Sequence, residues 1–252
     1  MATFRLEQDM TAVVESWMGS RELAVKVEFA TPWGICDLVG VRLNRHMVRK
    51  RMALGQWEPI GPPSRIALLQ QVPDAGTGTI AVSRLKRDFS GVMSPQQFER
   101  ELECLSRARF LAEPRRGVVH RINGWEPLHS RIVAVELKLS RIEEAYNQAL
   151  SHLWFATESF VALPYDTALR LSRNPRARRF RSNGVGVLGV QADRCRVLVR
   201  PTDGRTFKAD PVLQAHCVER FWRTRVKDTA SSSAPPRARA SSQPPRLRED
   251  LL

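Results

Sequence analysis

Paired cysteines, long apolar runs and acidic residues are all scarce in this chain of 252 residues. The four cysteines, Cys36, Cys104, Cys195 and Cys217, contain no Cys-x-x-Cys pair, and no histidine stands at a spacing that would complete a zinc site with them. The chain is neither small nor loop-rich, so the thiols are expected to be reduced. No apolar run reaches the roughly 18 residues that would suggest a membrane span. The opening "MATFRLEQDMTAVVESW" carries acids and no apolar core, unlike a signal peptide. A cytoplasmic protein is expected. A Gly-x-x-x-x-Gly-Lys phosphate loop is missing, which argues against ATP hydrolysis. The five histidines, His46, His120, His129, His152 and His216, form no triad-like or zinc-like spacing, so a nucleophilic hydrolase or zinc enzyme has no support. Against 26 acidic residues stand 40 Lys and Arg, a net charge of +14. A charge of that sign and size points first to nucleic acid as partner, ahead of an anionic membrane or an acidic protein.

The hydrophobic content of 42% is enough for a core. Residues 4–18 have Leu6, Met10, Val13, Val14 and Trp17 along one side of a helix, with Glu15 beside that stripe. "LAVKVEFA" (23–30) and "WGICDLVGVRL" (33–43) read as a strand hairpin across a Thr-Pro turn. "LGQWEPIGPP" (54–63) is a boundary. Three helices follow, over 64–72, 79–90 and 94–110, the last opened by Ser94 with Pro95 at its first position. Residues 110–124 then read as strand, tight turn at Arg116-Gly117, strand. Three short helices and a hairpin are the order of a winged helix-turn-helix. After it come an apolar strand through Val135, a helix from Ser140 to about Thr157, a strand at 160–164 and a hairpin at 184–201. A short helix is expected near 210–224. From Asp228 the chain is too rich in Ser, Pro, Ala and Arg to pack and is expected to be disordered.

Strand, helix, strand with a crossover implies an α/β fold with a mixed central sheet flanked by helices. On the strand "VAVELKLS", Glu136 and Lys138 are two apart and share a face, while Val135 and Leu137 enter the opposite layer. If the strand carrying Asp37 is its neighbour, two carboxylates and an ammonium converge. Two carboxylates that leave water positions open suit Mg²⁺ at a phosphate-cleaving site. The lysine would orient or deprotonate the attacking water and offset charge on a phosphorane-like transition state. On the plain alternative, Glu136 and Lys138 are a solvent-facing pair and Asp37 a strand-end turn residue.

These motifs, Asp37 in "WGICDLVGV" and Glu136 with Lys138 in "VAVELKLS", backed by the helix after them, resemble the PD-(D/E)XK nuclease superfamily and its restriction-endonuclease-like fold. The resemblance spans about 1–43 and 131–201. It implies a nuclease using Mg²⁺ or Mn²⁺ held by Asp37 and Glu136, with Lys138 as the water-orienting group. It implies a further acidic ligand from the first helix, for which Glu15 is the candidate, and a site-facing glutamine, Gln148. Glu28 is a weaker substitute acid. Such nucleases serve defence, restriction or repair.

The 99 residues between Asp37 and Glu136 are far more than a hairpin needs, and an inserted block accounts for them. The expected division is 1–53 and 131–227 for the nuclease-like domain, 54–130 for an inserted winged-helix-like domain, and 228–252 for the tail. In a DNA-reading winged helix, Gln96, Gln97 and Arg100 would face base edges, with Arg115 and Arg116 at the wing tip on phosphates or the minor groove. Glu99, Glu101 and Glu103 on the same helix oppose that, and favour partner-protein contact or a homodimer. The densest basic run, with Arg170, Arg173, Arg176, Arg178, Arg179 and Arg181, reads as a phosphate-backbone clamp or as a mobile, solvated loop. Trp33 is expected in the core more than on a base. Two rivals to a DNA nuclease stand: an inert nuclease-like scaffold acting as a DNA-binding or assembly protein, and a basic scaffold for RNA or protein assembly.

Overall fold

A computed structural model describes residues 4–202 and 209–232. Two apolar strands, β1 (Ala24–Thr31) and β2 (Gly34–Leu43), form the hairpin that their alternation predicts. β2 pairs antiparallel with β6 (His129–Leu137). β6, β7 (Glu158–Pro164) and β8 (Val185–Val190) run parallel, and β9 (Cys195–Val199) returns antiparallel to β8. The result is a mixed six-stranded sheet in the order β1-β2-β6-β7-β8-β9.

Helices cover both faces, because strands buried on two sides need apolar partners on two sides. On one face lies α1 (Thr11–Gly19), preceded by a 3₁₀ turn (Glu7–Met10). It packs Met10, Val14, Trp17 and Met18 on Val133, Val135 and Leu137 of β6 and Phe160 of β7. Leu6, expected in that stripe, is exposed. The other face is covered by α6 (Ile142–His152), α7 (Tyr165–Arg173) and α8 (Ala177–Ser182), with α2 (Arg45–Ala53) and α9 (Pro211–Ser232) over β1, β2 and β6.

Between β2 and β6 in chain order, a second core forms around Ile66, Leu69, Leu85, Phe98, Leu105, Phe110 and Trp125. It is built by α3 (Pro63–Gln71), α4 (Val82–Asp88) and α5 (Pro95–Arg107) on a small sheet ordered β3-β5-β4, of Ile80–Ala81, Val118–Arg121 and Leu111–Arg115. Ser94 caps α5 as its sequence predicts, its Oγ accepting the Gln97 N–H at 3.2 Å. The turn between β4 and β5 uses Gly117 at φ 73°, where a side chain would be strained. α9 belongs to both cores. Val212 and Ala215 pack on the second, and Cys217, Val218, Phe221 and Trp222 on the first.

Four expectations are corrected. Residues 79–90 are not one helix: Ile80 and Ala81 pair with Val119 and Val118, and the helix starts at Val82. α2 was not expected, since "RHMVRKRMA" has few apolar residues. It forms because Asn44 Oδ1 accepts the N–H groups of His46 and Met47, and because Val48 and Arg51 are buried. The arginine-rich run 170–181 lies mostly on α7 and α8, with Arg176 in the three-residue turn between them. α9 continues to Ser232, so 228–232 are helical, while the rest of the expected disordered tail, 233–252, lies outside the described residues.

Candidate active site

β2 and β6 stay in register from Arg42↔Arg131 to Leu38↔Val135 and then part. Two residues further along β6, the Leu137 N–H donates to Asp37 Oδ2, at 2.7 Å. The opening has a counterpart on β1. Glu28, the residue in register with Asp37, takes a left-handed φ of 52°, and the ladder skips it between Val27↔Leu38 and Phe29↔Cys36. Strained backbone of this kind gathers at sites held by their surroundings. The gap lies at the carboxyl end of β6, where a parallel neighbour (β7) meets an antiparallel one (β2). Ligands bind open α/β sheets at such ends.

Into this gap β6 projects Glu136 and Lys138, in the row of Ile132 and Ala134. Glu136 is 2% exposed and Lys138 7%. Lys138 Nζ donates to Glu136 Oε1 at 3.1 Å. It also lies 3.6 Å from Glu7 Oε2 and 3.8 Å from Glu144 Oε1. Glu7 is fixed by its other oxygen, which accepts the Leu139 N–H at 3.3 Å. Burial, reinforced by the charge of Asp37, pushes the Glu136 carboxyl up to about 7, against the pull of Lys138. Burial also raises Asp37, with the Leu137 N–H and Lys138 opposing. For Lys138, burial favours the neutral amine, but the hydrogen bond to Glu136 and the charges of Glu136, Glu7 and Asp37 outweigh it and hold the ammonium above its ordinary value. Lys138 is therefore a charged donor at neutral pH and not a base.

α6 lays one row of side chains over the gap, because residues four apart share a helix face. Glu144 meets Lys138, and His152, two turns on, places Nε2 3.9 Å from Glu136 Oε2. Gln148 stands between them with a buried Oε1 that has no hydrogen-bond partner among the described residues. His152 in turn sets Nδ1 3.7 Å from Cys36 Sγ. Burial drives His152 down to about 4, so the ring is neutral, and lifts the Cys36 thiol well above its usual range.

The structure thus brings Asp37, Glu136 and Lys138 together and aligns Gln148 with them. Glu15 is corrected. It is exposed on α1, and the acid that reaches Lys138 from the N-terminal segment is Glu7. A four-residue 3₁₀ turn has no periodicity to announce it. His152 and Cys36 were also missed, lying 116 residues apart. The available signal was the i, i+4, i+8 row Glu144, Gln148, His152. Trp33 is likewise corrected from core to surface: it is 49% exposed at the tip of the β1–β2 hairpin and stacks on Trp154, ring centroids 6.4 Å apart.

The other predicted binding residues lie on the surface. All six arginines of 170–181 are exposed, five on α7 and α8 and Arg176 in the turn between them. Arg179 pairs with Glu143 at 2.8 Å and lies over the Tyr146 ring; among the described residues the other five make no ion pair. On α5, Gln96 and Arg100 are exposed and Gln97 is half-buried, and Arg115 and Arg116 are exposed at the β4–β5 turn. The acids of α5 are each engaged by a cation: Glu99 by Lys86 at 2.7 Å, Glu103 by Arg107 at 2.5 Å, and buried Glu101 by Arg65. A separate groove of about 980 Å³, lined by Arg42, Arg45, Arg49 and Phe221 among others, lies at the other end of β2 from Asp37. Among the described residues no helix is long and apolar enough to cross a membrane.

No family model and no curated protein matches the chain. Among solved structures it is similar to a protein of unknown function from Silicibacter pomeroyi, at a TM-score of 0.41 and 10% identity, over 96% of this chain and 100% of that one.

Proposed function

We propose that the chain is a metal-dependent nuclease of the restriction-endonuclease-like kind, hydrolysing phosphodiester bonds of DNA, with a winged helix inserted between β2 and β6. The carrying observation is the convergence of Asp37, Glu136 and Lys138 where β2 and β6 separate. A buried and a half-buried carboxylate, both raised chiefly by desolvation, suit a divalent cation, and among the described residues Glu136 Oε2 has no hydrogen-bond partner to lose. Asp37 and Glu136 would hold Mg²⁺ or Mn²⁺, which when bound lowers the pKa of a coordinated water and draws charge from phosphate oxygens.

The chain's own groups would do the rest. Lys138, kept protonated, donates to the water or to the phosphate oxygen on which charge develops. Glu7 and Glu144 fix its direction from two further sides. Gln148, with its unsatisfied oxygen, would accept a hydrogen from the attacking water. The arginines of α7 and α8 would hold the backbone without reading sequence. Neutralisation of Glu99, Glu101 and Glu103 by basic neighbours removes the objection to α5 lying near phosphates.

A second reading is favoured by one observation. Lys138 and Glu136 are almost wholly buried in a closed ion pair, as in an inert scaffold that binds DNA or a partner without cutting. Purified protein with Mg²⁺ or Mn²⁺ and supercoiled plasmid, single-stranded DNA or RNA separates the two. Cleavage lost in Asp37→Ala and Lys138→Ala supports the nuclease. Cleavage that survives both substitutions sinks the site, and DNA binding without cleavage under either metal supports the scaffold.

A further inference from the structure

On the side of Glu136 away from Lys138, the side chains of Cys36, Glu136 and His152 converge. One ligand-type atom from each lies within 4.8 Å of the others, and all three residues are buried. The Sγ–Nδ1 separation is 3.7 Å. That is close to the ligand–ligand edge of a tetrahedral zinc with bonds of about 2.0–2.3 Å, roughly 3.3–3.7 Å. Glu136 Oε2, in a side chain 2% exposed, lies 3.9 Å from the other ring nitrogen, Nε2, and among the described residues has no hydrogen-bond partner. An ion takes one of the two nitrogens, and it is the 4.8 Å limit that holds for a single atom of each residue. A buried carboxylate oxygen left without a donor is costly, and such atoms mark strain or an ion.

We propose that Cys36, His152 and Glu136 form a second, thiophilic metal site that takes Zn²⁺ or a similar borderline-soft divalent ion. Charge supports this choice. A thiolate, a carboxylate and a neutral imidazole carry two negative charges, so a divalent ion brings the buried site to neutrality, the condition under which charges tolerate an apolar surround. Thiolate and imidazole select zinc over magnesium, which prefers an all-oxygen shell. Binding releases the Cys36 proton, and three protein ligands leave one position for water.

The site does not rest on the nuclease reading, since it needs neither Lys138 nor Asp37. It does draw on Glu136, whose Oε1 serves Lys138 while Oε2 serves the second site. If the nuclease reading holds, Zn²⁺ inhibits Mg²⁺-dependent cleavage by engaging the shared carboxylate.

The test uses the chelator-treated full chain. Titration with Co²⁺ should give one equivalent with a thiolate-to-cobalt charge-transfer band, displaced by Zn²⁺ and not by Mg²⁺. Cys36→Ala should abolish the band and weaken Zn²⁺ by more than the roughly 10–100-fold that loss of an outer-shell partner costs. A variant with Cys104, Cys195 and Cys217 changed to Ala should keep the band, as should Asp37→Asn. Should Cys36→Ala fail to fold, the wild-type band together with its retention in the triple-cysteine variant assigns the thiolate. No stoichiometric band in the wild type, a band that persists in folded Cys36→Ala, or a band lost only with the other three cysteines overturns the proposal.

Discussion

Glu136 touches an ammonium on one side and an uncharged imidazole on the other, and its proton reports the balance. A carboxyl raised to about 7 in the folded chain, against its ordinary 4.5, binds more protons folded than unfolded between those values. Its contribution to stability is therefore greatest below about pH 4.5 and is lost as pH rises toward 7. The loss is of order 2 kcal/mol at 1.36 kcal/mol per pH unit, reduced for partial screening. His152, held down to about 4, adds stability as pH rises through part of the same range, so the Glu136 decline is read as the difference between wild type and Glu136→Gln in denaturant melts of metal-free protein from pH 4.5 to 8. Lys138→Met removes the only counter-charge that the carboxyl has in hydrogen-bond reach among the described residues. It should destabilise by about 3 kcal/mol at pH 8, where Glu136 must stay charged and unpaired, and by less at pH 5.5, where Glu136 holds a proton. A cost independent of pH would break the assigned coupling. Affinity for Mg²⁺ by calorimetry should rise through pH 7, since the cation must displace that proton.

At the scale of elements, α9 is held to α2 by a buried ion pair. Arg51 Nη1 donates to Glu219 Oε1 at 2.5 Å and Nη2 to Oε2 at 3.0 Å, with the Arg51 guanidinium over the Trp222 ring. Glu219 Oε2 also accepts the Ile60 N–H. Breaking one side of such a pair costs about 3–5 kcal/mol, while replacing both sides by apolar groups of similar size costs much less. In chemical denaturation, Glu219→Leu should be severely destabilised and Arg51→Met/Glu219→Leu should recover most of the loss, short of the Ile60 N–H left without an acceptor. The same elements explain what sequence reading reached. The apolar run of β6 and the period of α6 are local patterns, so Glu136, Lys138 and Gln148 could be placed on their faces, and the Asp37 strand was legible from its hairpin. α2 was not, because its fold rests on a cap and on Arg51, a charged residue that only a partner 168 residues away allows to be buried. β3 failed for a like reason: Ile80 and Ala81 are strand only because Val118 and Val119 lie beside them. Cys36 and His152 meet through the sheet and α6 together, a relation that no spacing encodes.

For the whole molecule, the charge of +14 is distributed in a way that salt can read. Five exposed arginines of the 170–181 run have no acidic partner among the described residues. If each neutralises one phosphate, the logarithm of duplex affinity should fall against the logarithm of salt with a slope steeper than about −4. Arg173→Ala/Arg176→Ala/Arg178→Ala should lower that slope by about 3, with no change in sequence preference, in fluorescence anisotropy from 50 to 300 mM salt. An unchanged slope would overturn the proposed nucleic-acid role of α7 and α8, with the basic groove beside α2 as the next surface to test.

The sharing of α9 between two cores has a consequence in time. α9 follows every strand of both sheets along the chain. At about 5–20 residues per second, a ribosome finishes β2 roughly 10–30 s before it reaches α9. By the end of that interval the faces that later meet Val212 and Ala215, and those that later meet Phe221 and Trp222, are both made and still uncovered. Stop codons before Pro211 should therefore leave both apolar faces uncovered and yield protein that aggregates or is degraded, as read by solubility and pulse-chase measurements.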